Sequence, residues 1–268
     1  MKINIGLNLF EKNERQDLCV ESLIVLKKTY PEIINLYNFQ FEDEADENEN
    51  EYANSEIETV YSLKKDSQKM VIGATKKLPV VTEIFNELSK IDGDYFIVTN
   101  NDIIISPKYI ELIINEDYDC YPTSRQNIKK INSVNEEMSY NDFYFFGFDV
   151  FCIKNEWWKK NYHLFPDYFI GMPCWDTDFA TIMRLYGNTM FVNKYKPYIF
   201  HVSHDSYWLI YNHQPEKKFN EETFSIKNKY RHDIWFRYQE KIMQRRITIL
   251  QPLKIEQRIE NQIFKNTQ

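Results

Sequence analysis

Between Lys2 and Thr99 the chain switches repeatedly between two hydrophobic periods, and this alternation restricts its fold more than any other feature. Lys2–Phe10 alternates apolar and polar residues, the period-two pattern of a strand. Cys19, Leu23, Leu26 and Tyr30 then recur at i, i+4, i+7 and i+11, which places them on one face of a helix that must stop before Pro31. Ile33–Phe41 reads as a second strand. Pro79 is expected to open the next helix, with Val80, Val81, Ile84, Phe85 and Leu88 on its buried side. Asp92-Gly93 marks a turn, and Tyr95–Thr99 forms a short apolar strand after it. Strand, helix, strand, helix, strand predicts an α/β fold with a mostly parallel central sheet flanked by helices on both faces. In such sheets ligands collect beyond the carboxyl ends of the strands.

The 268 residues suit one generous domain with an appendage. A supply of 19 Tyr, 19 Phe and 5 Trp excludes a disordered chain, and only 6 Gly and 9 Pro exclude a fibrous one. No apolar run approaches the ~20 residues that span a bilayer, and Met1–Gly6 lacks a secretory signal pattern. A soluble, cytoplasmic protein is therefore expected, with peripheral attachment to the inner membrane face as a further option. Cys19, Cys120, Cys152 and Cys174 are widely spaced among apolar neighbours and read as buried free thiols. The net charge of −7 gives no reason to expect nucleic acid as a partner.

That charge is unevenly placed. Residues 214–268 carry 12 Lys/Arg against 7 Asp/Glu, a net of +5, which leaves −12 on residues 1–213. Nine acidic residues and no basic one lie in Glu42–Glu58, the pattern of a solvated loop. Pro215 marks a boundary between a first domain, 1–213, and a basic extension, 214–268. Ile234-Trp235-Phe236, Ile242-Met243 and Ile247-Ile249-Leu250 suggest that the extension is mainly helical, and it offers a homodimer contact.

Three segments carry candidate chemistry. Thr99-Asn100-Asn101-Asp102-Ile103-Ile104-Ile105 follows an apolar strand, so Asp102 sits at the rim of the sheet. One Asp, phosphate oxygens and waters suffice to hold Mg²⁺ or Mn²⁺. The same residues would equally suit a polar turn with Asp102 capping the helix that starts near Pro107. Ile170-Gly171-Met172-Pro173-Cys174-Trp175-Asp176-Thr177-Asp178 sets two carboxylates after a Gly/Pro turn at the start of a helix. One of them is expected as the N-cap, and the other as a base exposed on the first turn. In His201-Val202-Ser203-His204-Asp205 the two histidines point to opposite faces of an extended chain, so only a turn would let both hold one ion.

Together with Phe146-Gly147-Phe148-Asp149-Val150-Phe151-Cys152-Ile153, the order and spacing of these segments resemble a GT-A-type nucleotide-diphospho-sugar glycosyltransferase over about residues 1–213. The resemblance implies a GT-A-like fold and a metal-dependent transfer of sugar from a UDP- or GDP-sugar to a glycan or lipid-linked acceptor hydroxyl. It puts Asp102, with His201 or His204, on Mn²⁺ or Mg²⁺, although Asn100 stands where an Asp-x-Asp element has its first acid. It makes Asp176 the general base, with Asp178 as the second choice.

Donor contacts are expected at the first strand's end (Asn8, Phe10), at Gln40, and at Asn101, Lys76 and Arg125. The amide groups of Gly73–Lys77 would face a phosphate, and the Arg125 guanidinium would reach sugar or diphosphate. For Lys76 a solvated helix start, and for Arg125 a structural salt bridge, are the plainer readings. No Gly-x-Gly-x-x-Gly or P-loop pattern occurs. Trp175 and Trp208 adjoin the polar candidates and offer a platform for a sugar ring, against the commoner role of rings in a core. Two other functions fit the same residues: a metal-dependent hydrolase using His201-Val202-Ser203-His204-Asp205, and a non-catalytic carbohydrate-binding protein.

Overall fold

A computed structural model describes residues 1–10, 13–45, 56–128, 134, 140–143, 147–192, 198–202, 215–228 and 247–250; for 140–143, 226–228 and 247–250 it describes the backbone alone. His204, Trp208 and the expected helices within 229–246 lie outside these residues. In chain order the strands are β1 (Ile3–Leu7), β2 (Ile34–Phe41), β3 (Glu58–Leu63), β4 (Tyr95–Thr99), β5 (Ile103–Ile105), β6 (Cys120–Thr123), β7 (Gln126–Ile128), β8 (Tyr140–Phe143), β9 (Val150–Lys154), β10 (Thr189–Val192), β11 (Ile199–Val202) and β12 (Ile247–Leu250). The helices are α1 (Glu14–Thr29), α2 (Ser67–Met70), α3 (Val81–Lys90), α4 (Pro107–Asn115), α5 (Asn155–Asn161), α6 (Trp175–Tyr186) and α7 (Pro215–Asn228).

The main sheet has the order β12-β10-β6-β9-β4-β1-β2-β3. β1, β2, β3 and β4 are mutually parallel, as are β6 and β10, whereas β9 and β12 run against their neighbours. The core alternates with the pleat. Tyr95 and Ile97 of β4 join Ile3, Ile5 and Leu7 of β1 against α1 and α4, while Phe96 and Val98 face α3, α5 and α6 with Phe85, Trp158 and Phe179. Helices on both faces are what the apolar runs require. Gly6 permits the close packing of α3, because a Cβ there would lie 2.6 Å from Leu88 Cδ1.

Several expectations are corrected. α3 begins at Val81 rather than Pro79, whose carbonyl accepts the Ile170 amide. α1 gains a cap at Asn13, whose carboxamide accepts from the amides of Arg15 and Gln16. Ser106, not Asp102, is the N-cap residue of α4. Neither Asp176 nor Asp178 caps α6; Cys174 does so with φ 82° and no side-chain bond. Ile247–Leu250 is a strand paired with β10 instead of a helix, whereas Pro215–Asn228 is helical. β3, within and beyond the acidic stretch, extends the sheet past β2. All four cysteines are free and three are buried. Among the described residues no helix is long and apolar enough to cross a membrane.

Candidate active site

The order β3-β2-β1-β4 reverses the chain's winding between β1 and β4, and the crevice of a doubly wound sheet opens at that point, beyond the carboxyl ends of the two strands. Polar side chains gather there. The Asn8 carboxamide donates to Phe39 O at 2.7 Å, and Gln40 donates to Leu9 O and to Asn38 Oδ1. Asn38 Oδ1 also accepts the Leu9 amide, and Asn101 Nδ2 donates to Asn8 O at 3.1 Å. The ends of β1, β2 and β4 are thus tied by side chains where the backbone ladder stops. Phe10 stands exposed at the rim.

A second, four-stranded sheet, β5-β11-β7-β8, brings the distant polar residues to this edge. His201 on β11 is opposite Ile103 of β5 and Asn127 of β7. That register sets His201 Nε2 3.2 Å from Asp102 Oδ2 and Nδ1 3.1 Å from Asn127 Oδ1. Arg125 Nε donates to Asn127 Oδ1 as well, at 3.3 Å. A guanidinium only donates, so the atom it reaches is the carboxamide oxygen, and His201 must carry a proton on Nδ1 to share it. The Nε2 edge of His201 faces the Asp102 carboxylate. A carboxylate and an imidazole nitrogen at this separation form an ion pair when the ring is protonated, and both are donor types that bind a divalent cation.

Arg125 also donates to Asp149 Oδ1 at 2.7 Å, and Asn100 Nδ2 meets the same oxygen at 3.0 Å. Asp149 is buried at the start of β9, and among the described residues its Oδ2 has no hydrogen-bond partner. Burial raises its carboxyl, Arg125 opposes the rise, and the Asp102 charge adds to it. Asp176 lies one residue further along this line: its Oδ2 accepts the amide of Phe148 at 2.9 Å. Desolvation pushes the Asp176 carboxyl up to about 6, against hydrogen bonds from Phe148 and Thr177, and Asp149 adds to the rise. Asp176 is only partly buried.

The expected site residues therefore divide. Asn8, Gln40, Asn101, Asp102, Arg125 and His201 belong to one connected edge, with Asp176 joined through Phe148 and Asp149. Asp178 is wholly buried and accepts from the Tyr168 hydroxyl at 3.0 Å, so it is not the exposed carboxylate expected. Lys76 belongs to another cluster: its amide and that of Thr75 donate to Glu216, and Lys77 pairs with Asp43 and Glu44. Those amides are engaged by a carboxylate of α7, not directed at the edge that holds Asp102. Trp175 is a core residue, packed on Phe151 and Phe179, and not a platform. The sequence does not single out Asn127 or Asp149. Asp149 lies within the Phe146–Ile153 run, but a lone acid before an apolar strand carries no spacing signal.

No family model and no curated protein matches the sequence. Solved structures do match. A fragment of S. aureus TarS, residues 1–349 in complex with UDP-GlcNAc, superposes with a TM-score of 0.50 at 12% identity, over 76% of this chain and 59% of that one. The fold is GT-A-like. The present chain thus spans 59% of the length of that TarS fragment. Galactosyltransferase LgtC, in complex with donor and acceptor sugar analogues, matches at a TM-score of 0.37 and 12% identity, over 85% of this chain and 95% of that one. 4-Diphosphocytidyl-2C-methyl-D-erythritol synthase from Anaerococcus prevotii matches at a TM-score of 0.41 and 13% identity, over 84% and 98%. In the GT-A-like frame the Asp102–His201 pair and Asp176 lie along the crevice edge of the sheet.

Proposed function

We propose that this chain is a glycosyltransferase that moves a sugar from a nucleotide-diphosphate donor, a UDP- or GDP-sugar, to an acceptor hydroxyl. The observation that carries the reading is the run of side chains from Asp102–His201 through Asn127, Arg125 and Asp149 to Asp176, beside the winding reversal of a GT-A-like sheet. Asn8, Gln40 and Asn101 line the strand ends where base and ribose would lie. Arg125, held by Asp149, presents a fixed guanidinium toward the diphosphate or sugar.

Asp102 and His201 would hold a divalent cation, Mn²⁺ or Mg²⁺. Among the described residues there is no group of three or more potential protein ligands, and two suffice where phosphate oxygens and waters complete the shell. The Asp102 oxygen and His201 nitrogen 3.2 Å apart, and the acidic surplus of Asp102, Asp149 and Asp176 over Arg125, both fit a cation. When bound, it would supply charge neutralisation for the departing diphosphate. Asp176 would take the proton from the acceptor hydroxyl; the Phe148 amide donates to its Oδ2 and the Thr177 hydroxyl to its Oδ1, which together fix the carboxylate. Asp178 holds Tyr168 instead. The acceptor is proposed to be a glycan or a lipid-linked saccharide.

The test measures transfer and released nucleotide diphosphate across a panel of nucleotide sugars with Mn²⁺. Expected are turnover of at least one donor by the wild type, loss of metal-dependent turnover in Asp102→Ala, and loss of transfer with retained donor binding in Asp176→Asn. Failure of every nucleotide sugar to bind or react would overturn the proposal.

A further inference from the structure

The turn that delivers Asp176 is gripped from outside the first domain. It runs from Phe169 to Cys174, immediately before α6, with positive φ at Gly171 (78°) and at Cys174 (82°). A left-handed Cys costs roughly 1 kcal/mol or more, so this backbone holds its shape only where its surroundings impose it. Asn220 of α7 imposes it. Its side chain is wholly buried; Oδ1 accepts the Phe169 amide at 2.9 Å, while Nδ2 donates to Phe169 O at 3.0 Å and to Pro173 O at 3.1 Å. One carboxamide thereby joins both ends of the turn. Phe219 packs its ring on Phe169 at 4.7 Å. Glu216, also wholly buried, anchors the start of α7 on the amides of Thr75 and Lys76 at 2.7 and 3.0 Å.

We infer that Asn220 is a positioning residue for the transfer reaction: by stapling the Phe169–Cys174 turn, it sets where α6 begins and so where the Asp176 carboxylate stands. The inference rests on the reading of Asp176 as the base. α7 belongs to the basic extension, so part of the catalytic geometry is supplied by a segment outside the nucleotide-binding sheet. Donor contacts at Asn8, Gln40 and Asp102 lie on other elements, and loss of the staple leaves them in place. A base displaced by about 1 Å costs on the order of 10²-fold in rate.

The experiment compares Asn220→Ala and Asn220→Asp with Phe219→Ala. The Asp variant keeps the Oδ1 acceptor and lacks the two donors; the Phe219 variant loosens the packing of α7 and keeps the staple. Three quantities are read for each folded variant: kcat, donor KM, and the titration of the Asp176 carboxyl by ¹³C NMR, assigned against Asp176→Asn. Expected for the Asn220 variants are a fall in kcat of about 10–100-fold, donor KM within about twofold of wild type, and a lower midpoint for Asp176 as the turn relaxes and water enters. Phe219→Ala is expected to lower Tm and keep kcat within about threefold. Wild-type kcat and an unmoved Asp176 titration in both Asn220 variants would overturn the inference, and if Asn220→Ala does not fold, Asn220→Asp alone decides it. Should the wild type transfer no sugar, the glycosyltransferase reading fails separately, and the Asp176 titration still decides whether Asn220 controls this carboxylate.

Discussion

Asp176, the proposed base, would cost the fold stability at the pH where it is ionised. Its midpoint in the fold is about 6, raised mainly by desolvation, against about 3.9 in an unfolded chain. The folded state therefore holds the proton more tightly than the unfolded one, so stability from this group is full below about pH 4 and is lost as pH rises through 6. Asp176→Asn removes that loss while keeping an oxygen for the Phe148 amide. It is expected to stabilise the protein by roughly 1–3 kcal/mol at pH 8 and by little at pH 4, as read by urea unfolding at the two pH values. In the same frame, wild-type kcat/KM should rise with pH through about 6, because only the ionised base accepts a proton. A variant that is neither stabilised at pH 8 nor impaired in transfer would count against both statements. The acid was legible because the Gly171–Pro173 turn announced a helix start with carboxylates on its first turn. What could not be read was which of Asp176 and Asp178 faces inward, since the choice depends on Tyr168 ten residues earlier. Asp149 and Asn127 gave no local sign, because their roles arise only when β7, β9 and β11 meet.

At the level of elements, legibility follows length and period. β2 and β4 emerge from the sequence nearly to the residue, whereas β1 stops three residues short of the expected Phe10 and α1 starts five residues before Cys19, where its polar first turn shows no apolar period. β5, β7 and β11 are three or four residues long. Their identity comes from pairing across more than seventy positions, as between His201 and Asn127, and no local period encodes that. Pro79 misplaced the start of α3 because it reads as a first-turn proline, yet it lies in a bridge to Asp66. The packing of α3 on β1 supplies a sharp test. A methyl group at Gly6 would meet Leu88 Cδ1 at 2.6 Å and Phe39 Cε2 at 2.8 Å, inside a core without room for either to retreat. Gly6→Ala is expected to lower stability by about 1–3 kcal/mol through overpacking. Because β1 ends at Leu7, directly before Asn8, it should also weaken donor binding. Chemical unfolding and a donor titration check the pair, and a variant as stable as wild type would mean that α3 is not seated as described.

Across the whole molecule, charge decides how donor and metal depend on each other. Residues 1–213 carry −12, and three acids, Asp102, Asp149 and Asp176, stand along the proposed crevice with Arg125 as their cationic neighbour. An anionic diphosphate entering this field is repelled until a cation offsets the acids. Metal bound at Asp102 and His201 should therefore tighten UDP or GDP, and by thermodynamic necessity the nucleotide should tighten metal by the same factor. Isothermal titration of nucleotide with and without Mn²⁺, and of Mn²⁺ with and without nucleotide, is expected to give one coupling factor of roughly 5–150-fold. Asp102→Asn removes a ligand and a repelling charge together, so in that variant nucleotide alone should bind no worse than to wild type, while the Mn²⁺ dependence falls toward one. Equal nucleotide affinity with and without Mn²⁺ in the wild type would show that the acids along the β4 end do not form a shared cation and diphosphate site. In that case the Asp102–His201 contact at 3.2 Å is a structural bond of the second sheet.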